Sequence, residues 1–527
     1  MSDHPAPGVG TEARFGKNFG LPLINEAGDV AFTATLTGAE IPPEKSFVLY
    51  SETAGGLLPV VQRGTQIHGA LEGESVGDFE TFGLADDGTI AFIATLEQEG
   101  NLASRRQGVW SNRSGELSVV AISGQPAPGV EAESVYASAP SFRTLTINAK
   151  GDVAFVAKLS GKAIVPSNDI GIWETSGDIA SLAVREGTEL PSPLDGSSLF
   201  GLAALGFSFD DDGEIVFASA YRTTIDEQLH GGHFRLESGV ITPILFSNQV
   251  APNLEGGGFT PTSHLSWIGR PLTNNAGDAA FQISIVDDIG GAIRESVLYL
   301  EKTGELRPIL RVPKNESPLE DGDFTAAVAI NLTDDGGVLF YGEKVVLTGN
   351  ADTVRAYWYT DGLTATPLAT LGGQAPGYRL GVVFSGTTDT GFTSNGIGGN
   401  GAERFMIRSH VEGPGIDGTN DLGLWLADKS GRLELVLREG MIVDVDDDPA
   451  KVDLRRIAAF DLALAAGASA GSGSVFNTHG EFATRLVFYD GSTGVFVITV
   501  PEPITIFLLA AIIGVQATIR GNRERMC

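Results

Sequence analysis

A chain of 527 residues has room for several domains or for one large repeat array. Its 66 acidic against 35 basic residues, a formal charge of −31, exclude a polyanion-binding surface and with it nucleic acid as a partner. Glycine at 69 positions and a charged fraction of 19% suit short strands and tight turns better than long surface helices, and the single cysteine, Cys527, excludes an intrachain disulfide or a thiolate metal cluster.

From the amino terminus, the phrase Asn25-Glu-Ala-Gly28-Asp-Val-Ala31-Phe32 returns as Asn148 to Phe155 and as Asn274 to Phe281. Between them Asp86-Asp87-Gly88 leads into Ala91-Phe92, Asp210 to Gly213 into Val216-Phe217, and Asp334-Asp335-Gly336 into Leu339-Phe340; worn copies follow around Gly401-Phe405 and Asn477-Gly480-Ala483. An Asn or Asp that bonds its own backbone two residues on, then a Gly that accepts positive φ, is a turn that starts a strand. The shared glycine at 28, 88, 151, 213, 277, 336, 401 and 480 gives a period of roughly 60 residues.

Each copy continues with an apolar-aromatic step: Leu49-Tyr50, Val109-Trp110, Ile172-Trp173, His233-Phe234, Leu298-Tyr299, Tyr357-Trp358, Leu424-Trp425 and Val487-Phe488. A further strand follows, as in Leu57 to Val61 or Leu433 to Leu437, and an apolar stretch such as Phe19 to Leu23 precedes the turn. Four short strands per repeat cannot bury both faces alone, so the expectation is an all-β fold, a β-propeller over residues 5–498 with the aromatic step packed between blades. The count is eight blades, or seven if one of the two worn copies is a cap. Pro5-Ala-Pro-Gly8, Gln125 to Gly129, Gln249 to Pro252 and Gln374 to Gly377 read as rigid connections between blades.

Candidate chemistry is sparse. His230 and His233 form the one close histidine pair and lack a third ligand, which makes a weak zinc case. Asp444, Asp446, Asp447 and Asp448 offer oxygens suited to calcium but lack the Gly and terminal Glu of a calcium loop, so a solvated acidic turn is the expectation; no other cofactor is expected. The Asp-Asp-Gly turns place carboxylates along one rim, where paired acids could hydrolyse glycosides, yet turn geometry already accounts for them. No catalytic residue is assigned.

The last segment, residues 499–527, is of a different kind. Pro501-Glu502-Pro503 precedes an apolar run, Ile504 to Ile519, followed by Arg520, Arg523 and Arg525. Sixteen residues rise about 24 Å as a helix, a minimal membrane span with its basic end cytoplasmic. This arrangement resembles the PEP-CTERM sorting signal of exosortase-processed bacterial surface proteins. The resemblance implies export, at least transient anchoring in the bacterial membrane through residues 504–519, and an exosortase-type enzyme acting at Pro501-Glu502-Pro503. The repeat resembles the bacterial NxxGxxAF tandem-repeat family, which carries over no catalytic residues. Met1-Ser-Asp-His-Pro has no basic or apolar signal-peptide region, and a truncated gene start would explain this together with the connection on which the chain opens. The function expected is a noncatalytic cell-surface or matrix-associated scaffold that binds a polysaccharide or surface protein; the alternative is an extracellular hydrolase or lyase acting on polysaccharide at the propeller channel.

Overall fold

The computed structural model describes residues 1–500 and 518–520, apart from 54–55, 99–100, 178, 203–205, 225–228, 248, 250–251, 253–263, 269–270, 275, 287–292, 303, 314–323, 349, 386–396, 400–403, 447–450 and 464–475. Among these residues the strands assemble into eight antiparallel sheets in chain order, the arrangement of a β-propeller with eight blades. The blades fall into two compact units. Residues 1–65, 371–465 and 473–527 form one, which carries blades 7, 8 and 1, and residues 66–370 with 466–472 form the other, which carries blades 2 to 6.

Blade 3 shows how the sequence builds the unit. Its first strand is split into Val135–Tyr136 and Phe142–Ile147, followed by Val153–Ser160, Ile170–Ser176 and Ile179–Arg185. The Asn148 to Gly151 turn joins the first strand to the second, with Gly151 at φ +80. Side chains alternate across a strand, so Val153, Phe155 and Ala157 enter a core shared with Ile93 and Val109 of blade 2. Ala154 and Val156, on the other face, enter a core shared with Phe217 and Phe234 of blade 4. Burial on both faces is why the second strand reads as an unbroken apolar run, each large side chain contributing about 1.5–3 kcal/mol.

The aromatic step lies on the third strand, directly opposite the Phe of the turn phrase: Phe92 faces Trp110, Phe155 faces Trp173, Phe281 faces Tyr299 and Phe340 faces Trp358. The ring folds back over a glycine two residues upstream, where a Cβ on Gly171 would stand 2.8 Å from the Trp173 ring. The polar atom of the aromatic then reaches the connection that enters the same blade. Trp110, Trp173 and Trp425 donate Nε1–H to the carbonyls of His68, Pro128 and Pro376, while Tyr50 and Tyr299 donate O–H to those of Pro7 and Pro252, all at 2.9–3.1 Å. In these five blades the step therefore packs between blades, as expected, and also pins the entering connection, whereas Trp358 of blade 6 donates to Gly342 of its own second strand.

Two expectations are corrected. In blade 8 Val487 and Phe488 belong to the second strand, Glu481–Phe488; the third is Thr493–Thr499, in which Phe496 faces Thr484. The turn phrase had worn to Thr484 at its Phe position, which hid the register. In blade 7 Trp425 faces Ile407, and Phe405 faces Ala427; Gly401 lies outside the described residues. The hydrophobic C-terminal helix does not extend over its last two residues, because Thr518–Arg520 pair as a strand with Val497–Thr499. The outer edge of Thr493–Thr499 offers backbone donors and acceptors that a helix would leave unpaired. Residues 504–517 of that expected transmembrane helix lie outside the described residues, among which no helix is long and apolar enough to cross a membrane.

Candidate functional site

The repeated turns do more than reverse the chain. Asn148 Oδ1 accepts the N–H groups of Lys150 and Asp152, at 3.1 and 2.9 Å, which closes the turn. Its amide nitrogen points the other way and donates to the Asp210 carbonyl of blade 4 at 3.0 Å. Asn274 donates in the same manner to Thr333 of blade 6 at 2.8 Å, and Asn477 of blade 8 to Asn25 of blade 1 at 3.2 Å. All three donors are at least 97% buried. In the accepting blades Asp210 and Thr333 close their own turns through Oδ1 and Oγ1, and receive the neighbour's amide at the main chain. From blade 3 to blade 6 Asn alternates with Asp or Thr, since a side-chain amide carries both a donor and an acceptor while a carboxylate carries acceptors alone; between blades 8 and 1 the acceptor is itself an Asn, Asn25, which closes its own turn through Oδ1.

Where the turns of blades 4 and 5 meet, Asp210, Asp212, Glu214, Arg235, Glu237 and Ser238 line a cleft of about 360 Å³ closed by Gly277 and Gly304. Arg235 lies between two carboxylates, paired closely with Glu214 and at 2.7 Å with Glu301. The three side chains are 17%, 13% and 11% exposed. Burial pushes the carboxyls of Asp210 and Glu214 above the usual range, and Arg235 pulls that of Glu214 back down. Asp210 Oδ1 accepts the N–H groups of Asp212 and Glu214 at 3.0 and 2.8 Å. Asp212, with a side chain 93% exposed, stands in solvent at the mouth. The cleft is an acidic surface whose deeper acids are committed to backbone or Arg235.

A second cluster lies in blade 7, where His410 stands near the end of the second strand, Arg404–Glu412, the third begins after Asp421 and the fourth ends before Glu439. His410 Nδ1 stands 3.2 Å from Asp421 Oδ2, and burial followed by the Asp421 charge pushes the Glu439 carboxyl up to about 7. Arg438 lies over the ring of Tyr378 at 5.3 Å. The corresponding positions of blade 3 hold Lys158, paired with Asp169 at 3.1 Å, and Glu186, which accepts the Gly201 N–H at 2.6 Å. The recurrence marks a junction between blades in which burial pushes a carboxyl above its ordinary range, at Glu186 as at Glu439.

The other residues singled out in the sequence do not converge. His230 stacks on Tyr221 at 5.4 Å, whereas His233 packs on Phe281 at 4.7 Å; three residues apart on one strand, they point to opposite faces. Asp444 Oδ1 accepts the Asp453 N–H at 2.9 Å and so closes the hairpin of blade 8; Asp447 and Asp448 lie outside the described residues. Among the described residues no group of three or more His, Cys, Asp or Glu side chains is arranged to hold a metal. Arg520 stands opposite Val497, while Pro501, Glu502, Pro503, Arg523 and Arg525 lie outside the described residues. The Asn donors and Arg235 escaped the sequence reading. The alternation of Asn with Asp or Thr in successive turns was a signal for the first, but nothing local signals an Arg whose partners lie on two blades.

Fold and site together define a β-propeller protein of eight blades built on one hairpin-turn repeat. Within that class the chain belongs to the Family of unknown function (DUF7453), whose profile matches residues 2–204 and 192–507. No curated protein matches it significantly. Among solved structures it is similar to the β-propeller domain of the Trilobed protease from Pyrococcus furiosus, at 13% identity and a TM-score of 0.36 over 81% of this chain and 99% of that one. It is also similar to the acylaminoacyl peptidase of Pyrococcus horikoshii, at 12% identity and a TM-score of 0.35 over 80% of this chain and 52% of that one, about half its length. A Trypanosoma rangeli sialidase matches at 9% identity and a TM-score of 0.23 over 78% and 55% of the respective chains.

Proposed function

We propose that the protein is a noncatalytic, exported scaffold of the cell surface or extracellular matrix. Its turn-bearing face meets a polysaccharide or surface protein, and its C-terminal segment is the sorting signal. One observation carries the noncatalytic part: the deeper acids of the cleft already serve the fold, Asp210 by closing its turn and Glu214 by neutralising Arg235. A general acid must be free to give its proton and a base to take one, and these are held. The sorting part rests on Pro501-Glu502-Pro503, the apolar run and the terminal arginines.

Two experiments test the halves separately. Incubated with a panel of acidic and neutral polysaccharides, the protein is expected to retain some on a column without releasing reducing or unsaturated ends. Chain cleavage that disappears in Asp212→Asn or Glu237→Gln would establish the hydrolase or lyase instead. Fused to a working signal peptide, it is expected to reach the surface with its tail processed, and alanine at positions 501 to 503 to leave it uncleaved in the membrane. Unchanged processing in that variant would remove the sorting reading.

A further inference from the structure

The outer edge of the last blade differs from the other seven. In blades 1 to 7 the fourth strand follows the third through a short turn, as Gly56–Gln62 follows Phe47–Thr53. In blade 8 the track beside Thr493–Thr499 is filled from both ends of the chain. At one end Ser2 N–H donates to the Thr493 carbonyl at 2.7 Å and Thr493 N–H to Ser2 Oγ at 3.1 Å. Ser123 and Ser247, which follow the fourth strands of blades 2 and 4, make the same pair of bonds with Gln107 and Gly231. Ser2 thus stands where a fourth strand ends, and Pro5 to Gly8 follow it as Pro126 to Gly129 follow Ser123. At the other end Thr518, Ile519 and Arg520 lie opposite Thr499, Ile498 and Val497.

We infer that the outer edge of Thr493–Thr499 is a strand-acceptor site, and that the segment around Thr518–Arg520 fills it exchangeably, in its own chain or in a second copy. Alternation along an antiparallel ladder turns the N–H and C=O groups of Thr493, Val495, Val497 and Thr499 to this edge, and Val495 lies between the two occupants. An edge of this kind is a template for another strand. Three paired residues hold the segment, against six in the Gly56–Gln62 strand of blade 1, so its release breaks few bonds. The connection from Val500 to residue 517, 18 residues, spans up to about 60 Å when extended, enough to reach the same edge of a neighbouring molecule. The occupant is a second copy of this chain because the sequence that fits the track is the chain's own, and exchange of identical elements restores every bond. The inference rests on strand pairing and concerns the full-length chain, before any processing at Pro501 to Pro503 removes the tail.

The test uses two differently tagged full-length chains, both carrying Cys527→Ser. One bears Thr499→Cys and the other Thr518→Cys, positions directly opposed in the ladder and within disulfide reach. After mixing and mild oxidation, the heterodisulfide is expected to exceed either homodisulfide about tenfold, because the exchanged strand raises the local concentration of its opposed cysteine. The pair Val497→Cys and Arg520→Cys repeats the measurement in the same register. A chain that carries both cysteines of a pair is expected to cross-link internally when dilute and between chains when concentrated. Random disulfide distribution in both mixtures, or internal cross-linking at every concentration, would overturn the inference.

Discussion

At the scale of single residues, a side chain that looks like turn punctuation joins two blades. Asn148→Asp keeps the acceptor that closes its own turn but loses the donor to Asp210, and sets a carboxylate against that carbonyl. The expected cost is about 1–3 kcal/mol in urea unfolding, with Asn274→Asp behaving alike, and a loss within error at both positions would count against the cross-blade role. Arg235→Ala leaves Glu214 and Glu301 without their cation, and a cost of about 3–5 kcal/mol is expected. Glu439 gives a test by pH. Its folded carboxyl lies above the ordinary value, so the stability tied to its protonated form is complete below about pH 4.5 and is lost as pH rises through about 7. Glu439→Gln is therefore expected to narrow the difference in Tm between pH 5 and pH 8, and an unchanged difference would show that burial and Asp421 do not oppose its charge. Of these residues the sequence displayed only the turn acceptor, since a donor to another blade becomes visible when the blades are side by side.

At the scale of elements, the strands were legible where both local signals survived. The Gly that permits the turn and the aromatic that faces the turn phrase fix the register of blade 3 together. Where one had worn, as at Thr484, the aromatic step was placed on the wrong strand. The bond from that aromatic to the Pro-rich connection was not legible, because indole N–H groups satisfied by packing and by a carbonyl look alike in a sequence. It predicts a graded series: Trp173→Phe loses the bond to Pro128 and about 1 kcal/mol, whereas Trp173→Ala loses the packing as well, about 3–5 kcal/mol. Equal losses would mean that packing alone holds the ring. The tail illustrates the opposite limit, an apolar run whose end takes its structure from the edge it meets.

At the scale of the whole molecule the charge of −31 acts on every blade at once. Self-repulsion of that size destabilises a compact state, and salt screens it. Raising sodium chloride from about 20 mM to about 0.5 M is expected to raise Tm, the reverse of what isolated surface ion pairs would give; a fall would assign the stability to those pairs. The Asn ladder has its own bearing on how such a molecule can grow or shrink. Donors in blades 3, 5 and 8 each need a neighbour whose turn directs a main-chain carbonyl toward them. A blade cut out directly after blade 3, 5 or 8 would leave a buried amide facing a different turn, so shortened descendants should keep the accepting blade wherever they keep the donor.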